Sequence, residues 1–420
     1  MADVQPLRAL HYDLDRVGSL QAVIAPPYDV IDEEQRGRLL ERSPHNVVAV
    51  DLPRGDPDPY AEGAELFARW QAEGAVVRDD RFALWPLSQT FAAPDGRTLT
   101  RDGVLARVRV EPYGAGRIRA HERTHPGPKE DRLRLTRATR ANLSPIFSLF
   151  DDADGRVADA LSAAGREPWA QATDDEGTHN RLHRIDDTAV AAAVTAALAD
   201  TELLIADGHH RYETARAYAE EIGGEGEHRY VLMHLVALQN EGLTVFPTHR
   251  LVGGLADDPA RQEALAATLR EHFTIEELDD QALLAPPASD GPLTFGYIDA
   301  HFRRPFRLTL KNQAIADAAL AHMPPAYRRL DTAVLEELIL KGPLALTEDD
   351  IAHLRGLGYS RTDQEALDLV LDGSFDAAFF LRPGPVSQVQ EIAAAGVTMP
   401  PKSTFFYPKV PTGLVFNPLA

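Results

Sequence analysis

The stretch LLIADGHHRYETA, residues 203–215, decides most of what this sequence says about the fold. Residues 203–206 are apolar, as in a buried strand, and Asp207-Gly208 is a pair typical of tight turns. The residues after Gly208 have the composition of a helix. The stretch therefore predicts a strand, a turn and a helix, with free backbone N–H groups and the positive end of the helix dipole at the turn.

The polar residues of this turn suit a phosphate group. Gly208 lets a phosphate approach closely because it has no side chain, and Arg211 can grip phosphate oxygens in a fork. His209 and His210 can donate to the same oxygens, and Asp207 can hold Mg²⁺. We interpret the turn as a phosphoryl-transfer site in which Asp207 and His210 are candidate catalytic residues. The structural alternative is a helix cap, a solvated arginine and a packed histidine.

Composition restricts the possible classes of function. The chain has 420 residues, enough for two or three ordinary domains or for one elaborated domain with insertions. Its residues are 44% apolar and 25% charged, as in soluble globular proteins. A formal charge of -21 argues against a broad nucleic-acid surface. The absence of cysteine fits a cytoplasmic protein. The N-terminus lacks a secretory pattern and no apolar run approaches a membrane span, so we expect a cytoplasmic protein without membrane or nucleic-acid partners. The oligomeric state is not indicated.

Local signals predict a mixed α and β structure. Residues Ala22 to Ala25 form an apolar run before a Pro-Pro turn, which indicates a short strand, and Asp32 is placed to cap a helix. Two alternating segments, 81–91 and 102–113, flank the turn sequence APDG and predict a hairpin. Ala-rich helices and further strands follow as far as the C-terminus.

The segment HERTH, residues 121–125, matches the H-E-x-x-H string of zinc proteases. That chemistry requires His121 and His125 on one face of one helix. Pro126 follows immediately and biases His125 away from helical conformation, and the sequence before His121 offers no helical lead-in. We therefore interpret the match as coincidental.

The same segment nevertheless carries a candidate base. Glu122 could orient a hydroxyl nucleophile and take its proton. His121, Lys129 and Arg132 would supply positive charge for phosphates or for a substrate carboxylate. The alternative is a polar loop with ordinary ion pairs.

The C-terminal stretch MPPKSTFFYPKVPTGLVF, residues 399–416, places Lys402, Ser403, Thr404 and Lys409 among aromatic residues. Basic and hydroxyl groups beside aromatic rings suit a nucleotide base and its phosphates. The alternative is an aromatic strand that seals the core. Neither a P-loop nor a dinucleotide fingerprint is present in the sequence.

Several motifs together resemble a bacterial and archaeal family known as domain of unknown function family 1015. The motifs are IAPPYDVI (24–31), the pattern from His121-Glu122 to Ile146-Phe147, ADGHHRYETA (206–215), PTHRLV (247–252) and the C-terminal stretch just described. They occur in matching order over nearly the whole chain. The chain is identified on these motifs as a member of that family.

The stretch around Asp207 also resembles the ParB and sulfiredoxin superfamily, which includes free serine kinases. This resemblance implies an α+β fold with a ParB/sulfiredoxin-like nucleotide-binding core, large insertions and a C-terminal α/β unit. It places the core at 1–250, the second unit at 251–390 and a segment returning to the core at 391–420.

The resemblance implies a Mg²⁺-dependent phosphotransferase that uses ATP or ADP on a small hydroxylated metabolite, with L-serine as the best single guess. One alternative is a ParB-like regulatory module that binds or slowly hydrolyses a nucleotide without an acceptor. Another is a hydrolase of a small phosphate or amide.

Overall fold

The computed structural model describes residues 2–93, 96–113, 118–122, 126–162, 167–289 and 291–420, with the side chains of 126–128 outside that description. Helices and strands alternate along these residues, which confirms the predicted mixed α+β class. The first strands are β1 (Val4–Gln5), β2 (Leu10–Tyr12), β3 (Val76–Arg78), β4 (Trp85–Ala92), β5 (Thr98–Arg109), β6 (Ile118–Arg119), β7 (Ala141–Asn142), β8 (Ile146–Phe150), β9 (Ala170–Thr173), β10 (His179–Leu182), β11 (Leu203–Asp207) and β12 (Tyr230–Ala237). The helices among them are α1 (Leu14–Val17), α2 (Leu20–Val23), α3 (Glu33–Arg42), α4 (Val48–Asp51), α5 (Pro59–Ala72), α6 (Pro126–Thr139), α7 (Arg156–Ser162), α8 (Thr188–Leu198) and α9 (His209–Ile222).

The remaining elements follow the same alternation. The strands are β13 (Thr244–Phe246), β14 (His249–Val252), β15 (Phe273–Glu277), β16 (Thr294–Asp299), β17 (Phe306–Leu310), β18 (Leu357–Ser360), β19 (Ala377–Phe380), β20 (Phe405–Tyr407) and β21 (Asn417–Pro418). The helices are α10 (Pro259–His272), α11 (Gln313–Ala319), α12 (Asp331–Leu335), α13 (Glu348–Ala352), α14 (Asp363–Leu371) and α15 (Val386–Ala394), and a π-helical turn, Glu336–Leu340, continues α12. Within the described residues, none of the helices is both long and apolar enough to cross a membrane.

The chain divides into two compact units. The first consists of Met1–Ala120, Thr124–Leu243 and Pro408–Ala420, and the second of His121–Arg123 and Thr244–Tyr407. The last thirteen residues therefore belong to the same unit as the predicted phosphate turn.

The first unit is built on a sheet of nine described strands. Eight of them follow the order β6-β11-β8-β12-β5-β4-β10-β9, and β1 pairs with β5. The predicted hairpin is confirmed, because β4 and β5 pair antiparallel from Trp85 opposite Leu105 to Ala92 opposite Thr98. Strands β8 and β12 run parallel, and β11 runs antiparallel to β8. Apolar residues of these strands and of α8 form the main core of the unit, and burying each large apolar side chain contributes roughly 1.5–3 kcal/mol.

The second unit is built on a six-stranded sheet with the order β15-β17-β16-β19-β14-β18, in which every neighbouring pair is antiparallel. Its core lies where α14 covers β14 and β19. Ala366 and Val370 of the helix are fully buried there against Ala378 and Phe380 of the strand.

Of two local predictions near the N-terminus, the structure confirms the helix cap at Asp32 and contradicts the strand at Ala22 to Ala25. Asp32 caps α3, since its Oδ1 accepts a hydrogen bond of 2.7 Å from the backbone N–H of Gln35. The predicted strand from Ala22 to Ala25 is wrong, because Ala22 and Val23 belong to α2 and Ala25 forms only an isolated β-bridge, with Thr412. Ser19 caps that helix, with its Oγ accepting from the N–H of Ala22 at 3.2 Å. A four-residue apolar run is compatible with a strand and with a single helical turn. Here the N-cap hydrogen bond of Ser19 favours the helical turn.

His121 and Glu122 lie before the first residue of α6 and are not part of that helix. The N–H of Met399 donates to the carbonyl of His121 at 2.7 Å, and Glu122 forms a parallel β-bridge with Met399. Helix α6 begins only at Pro126, so the His121-Glu122 pair is not helical. His125, the second histidine of the protease-like string, lies outside the described residues.

Candidate functional site

The turn between β11 and α9 has the conformation that the sequence predicts. Strand β11 ends at Asp207, Gly208 is the N-cap residue with a left-handed φ of 91°, and α9 begins at His209. Gly208, and not Asp207, is the N-cap residue, so the helix-capping role considered for Asp207 is not observed. A Cβ atom at Gly208 would lie 3.0 Å from the guanidinium of Arg211. The left-handed backbone therefore favours glycine, and a Cβ atom would also crowd the guanidinium of Arg211.

Asp207 lies between two cations. Its Oδ1 accepts a hydrogen bond of 2.6 Å from Nζ of Lys409, and its Oδ2 accepts one of 2.9 Å from Nη2 of Arg211. The side chains of Asp207, Lys409 and Arg211 are 21%, 15% and 11% exposed, respectively. We call these three residues the Asp207 cluster. Charge-assisted hydrogen bonds of this length in a partly buried place are among the stronger polar interactions in proteins.

The electrostatics of the Asp207 cluster keep the carboxylate ionised. Burial on its own would raise the pKa of Asp207, but Lys409 and Arg211, with a smaller contribution from His209, lower it well below its ordinary value. One negative and two positive side chains leave the cluster with net positive charge at the N-terminus of α9. In a chain with a formal charge of -21, this is a local reversal of sign that favours an anion.

Arg211 also connects the turn to the loop before β8. Its Nη1 donates to Oγ of Ser144 at 2.7 Å and to the carbonyl of Pro145. The hydroxyl of Thr412 donates to the same Oγ at 3.0 Å. These contacts fix the guanidinium and join the C-terminal segment of the first unit to the turn.

Arg101, which the sequence analysis missed, lies beside the Asp207 cluster. It is fully buried in β5, donates from Nη2 to Oε1 of Gln89 and to the carbonyl of Pro408 at 2.5 Å each, and lies 4.5 Å over the ring of Phe147. Burial lowers the pKa of Arg101 to about 9, although Asp207 acts in the opposite direction, so the group is still cationic at neutral pH. An isolated arginine in an alternating strand carries no motif that could have revealed it.

The two histidines of the turn differ in their surroundings. His209 is only 6% exposed at the start of α9, whereas His210 is half-buried. His209 is close enough to Asp207 for its charge to lower the pKa of that carboxyl group. The structure therefore keeps both imidazoles within the first turn of the helix, as expected from the sequence.

Arg132 and Lys129 form ion pairs within α6 and its surroundings. Arg132, 5% exposed, donates from Nη1 to Oδ1 and to the carbonyl of Asp51 at 3.0 and 2.9 Å, and its guanidinium lies 4.2 Å over the ring of Tyr28. Nζ of Lys129 lies 3.4 Å from Oε2 of Glu213. Both cations were expected to bind phosphate or a substrate carboxylate, and in this structure both contact protein carboxylates.

A cavity of about 40 Å³ separates Arg132 from Arg211. Asp51 lines it and is 4% exposed, and its Oδ2 has no hydrogen-bond partner among the described residues. Burial raises the pKa of Asp51, with Arg132 and Arg211 opposing that shift. The cavity is large enough for water, which would satisfy the remaining carboxylate oxygen.

The other candidate residues form a polar group in the second unit. Oε1 of Glu122 accepts from the backbone N–H of Lys402 at 3.3 Å, and Nε2 of His121 lies 2.8 Å from Oγ1 of Thr404. Ser403 donates to the carbonyl of Pro400 at 2.7 Å. Lys402 has a left-handed φ of 56°, which is uncommon outside glycine and marks a sharp bend in this segment.

Arg250, from the PTHRLV motif, lies in the same unit. It is 3% exposed and donates from Nη2 to the carbonyl of Pro401 at 3.1 Å. Burial lowers the pKa of Arg250, while the charges of Tyr359, Glu336 and Glu122 raise it. The charge of the buried Arg250 therefore interacts with that of Glu122, the candidate base.

Asp207, the residue expected to hold Mg²⁺, is engaged by two protein cations in this structure. Each of its carboxylate oxygens already accepts a hydrogen bond from a cation. Among the described residues, no three histidine, aspartate or glutamate side chains are grouped as metal ligands.

Comparisons with solved structures give distant similarities. A conserved hypothetical protein from Pyrococcus furiosus is 15% identical, with 70% of this chain and 90% of that chain covered and a TM-score of 0.36. A free serine kinase in complex with AMP is 14% identical, with 69% and 83% covered and a TM-score of 0.35. SbnI with a C-terminal truncation, from Staphylococcus aureus, is 13% identical, with 73% and 84% covered and a TM-score of 0.36.

Sequence comparisons define the family. Among curated proteins no sequence matches the chain. The model of the family described as Protein of unknown function (DUF1015) matches residues 4–333, which confirms the family resemblance seen in the motifs. This chain belongs to the DUF1015 family.

Proposed function

We propose that the protein is a phosphotransferase that binds ATP or ADP with its phosphates at the β11–α9 turn. The observation that carries this proposal is the Asp207 cluster, with its net positive charge beside Gly208 at the N-terminus of a fourteen-residue helix. The first N–H groups of a helix have no partners within the helix and attract anions. In this proposal Asp207 positions the two cations, and Lys409 and Arg211 bind phosphate oxygens.

Glu122 is the proposed base, and a small hydroxylated metabolite, with L-serine as the first choice, is the proposed acceptor. This part of the proposal is supported by the chemical requirements of phosphoryl transfer. Phosphoryl transfer to a hydroxyl requires a group that orients the nucleophile and accepts its proton. His210 remains a candidate for contact with the reacting phosphate.

Mg²⁺ belongs to the proposal only as a companion of the nucleotide phosphates, which commonly supply its ligands. It would neutralise charge on the phosphates when bound. The chain's own residues would bind the remaining phosphate charge through Lys409 and Arg211 of the Asp207 cluster.

The experiment is an activity and binding assay on the purified chain. Protein is incubated with ATP, ADP or CTP, with and without Mg²⁺ and L-serine, and phosphoserine and free phosphate are followed. Serine-dependent formation of phosphoserine supports the kinase. Nucleotide binding without acceptor turnover identifies the regulatory module instead, and nucleotide-independent hydrolysis of a small phosphate or amide identifies the hydrolase.

Two variants separate binding from catalysis. Lys409→Met removes one phosphate-binding cation and should weaken nucleotide affinity about 10- to 100-fold, since charged hydrogen bonds contribute about 1.5–3 kcal/mol. Lys311→Met, an exposed lysine of the second unit, is the matched control and should leave affinity unchanged. Glu122→Gln should lower kcat about 10²- to 10⁴-fold without a change in nucleotide affinity. Unchanged affinity in Lys409→Met contradicts the proposed phosphate site.

A further inference from the structure

A second cavity, of about 590 Å³, lies within the second unit between α10 and the sheet. Leu265, Ala266 and Leu269 line it from the helix, and Tyr297 and Leu308 line it from β16 and β17. Cavities of about 300–1,000 Å³ with mostly apolar walls and a few polar groups are typical small-molecule sites. None of the predicted functional residues lines this cavity.

Large apolar side chains are left exposed at this cavity. Phe302 is 66% exposed and Ile275 is 41% exposed, and both line the cavity. Leaving such side chains in water costs free energy that a ligand covering them would recover. Phe306 completes the wall directly opposite Tyr297 in the β16–β17 pairing, so aromatic rings from neighbouring strands face the same space.

The polar part of the cavity includes two carboxylates, those of Asp299 and Asp376, together with Gln262. Oδ1 of Asp299 accepts from the backbone N–H of Phe302 at 2.7 Å, and Oδ2 of Asp376 accepts from the N–H of Leu255 at 2.6 Å. These bonds hold both carboxylates in place at the edge of an apolar space. Arg270 and His301 also line the cavity, and the net charge of -21 adds a long-range preference for cations.

We propose that this cavity binds a small molecule that has an apolar body and one protonated amine. The amine would lie at Asp299 and Asp376, and the body would lie between α10 and the aromatic residues of β16 and β17. Aromatic faces stabilise a nearby cation as well as covering apolar surface, so both parts of such a ligand find complementary chemistry. The cavity shares no residue with the Asp207 cluster, and its test does not depend on the proposed phosphate site.

The test uses two fluorescent probes that differ in charge. Dansylcadaverine carries an amine, and dansyl-6-aminohexanoic acid carries a carboxylate on a chain of similar length. Titration of the full chain should show saturable fluorescence enhancement with the amine, at least tenfold tighter than with the acid. Asp299→Asn and Asp376→Asn should each reduce that preference several-fold.

Blocking variants locate the binding. Ala266→Trp fills the cavity from α10 and should abolish amine binding, whereas Ala267→Trp, at the exposed next position, should leave it intact. Ala256 lines the cavity from an exposed loop, so Ala256→Trp should also block amine binding. This variant tests the site if circular dichroism shows that Ala266→Trp does not fold.

Three outcomes overturn the proposal. The first is equal or tighter binding of the acid probe by the unmodified chain. The second is amine binding that survives Ala256→Trp and a folded Ala266→Trp. The third is a dimer, detected by sedimentation velocity, that Ala256→Trp abolishes, because a second copy of the chain would then be what covers this cavity.

Discussion

Replacing Asp207 by asparagine tests the central electrostatic argument about the turn. Asn keeps the size of the side chain but removes the charge that two cations share, at 2.6 and 2.9 Å. Breaking a buried ion pair by removing one partner costs about 3–5 kcal/mol. Because the three side chains are 11–21% exposed, we expect a loss near the lower end, about 3 kcal/mol at pH 7.

The effect should depend on pH in a defined direction. The folded-state pKa of Asp207 is lowered, so its contribution is fully present above the unfolded-state pKa of about 3.9 and is lost as pH falls below it. With about 1.4 kcal/mol lost per pH unit, the wild-type advantage over Asp207→Asn should shrink by roughly 1 kcal/mol between pH 6 and pH 3. Between pH 5 and pH 8 it should stay constant.

Urea unfolding monitored by circular dichroism measures both quantities. Asp154→Asn, at an exposed aspartate of the first unit, is the matched control and should change stability by less than about 0.5 kcal/mol. A free energy of unfolding for Asp207→Asn equal to that of the control would refute the argument that the cations depend on this carboxylate. A stability difference that grows as pH falls would refute the assigned direction of the pKa shift.

Other substitutions give independent predictions. Gly208→Ala should destabilise by about 1–3 kcal/mol in urea unfolding because of its left-handed φ, while Gly37→Ala, inside α3 with open space around it, should stabilise by about 0.5–1 kcal/mol. Arg132→Met should cost about 3–5 kcal/mol at pH 7 and less at pH 5, because burial raises the pKa of Asp51 and the isolated carboxyl group then takes up a proton. His234 is fully buried, neither of its ring nitrogens has a hydrogen-bond partner among the described residues, and burial lowers its pKa. Wild type should therefore lose about 1 kcal/mol more than His234→Leu between pH 7 and pH 5.5, because only the unfolded imidazole takes up a proton.

Short-range signals in the sequence predicted several elements correctly. The strand-turn-helix around Gly208, the β4–β5 hairpin and the Asp32 cap each depend on residues that are neighbours along the chain. The apolar run before Pro26 failed because four residues do not distinguish a strand from a helical turn. The sequence did not indicate that Asp207 accepts hydrogen bonds from Lys409 and Arg211, and its role in holding Mg²⁺ stays a prediction.

The sequence by itself determined the local conformation of the β11–α9 turn, the mixed α+β class and the family. Only the tertiary structure decided which cations meet Asp207, because Lys409 is 202 residues away along the chain, and only folding brings the C-terminal segment to the turn. The same holds for Arg101, whose burial beside Asp207 follows from the pairing of distant strands. Local propensity acts over a few residues, whereas the charge around a site is set by which distant segments fold against it.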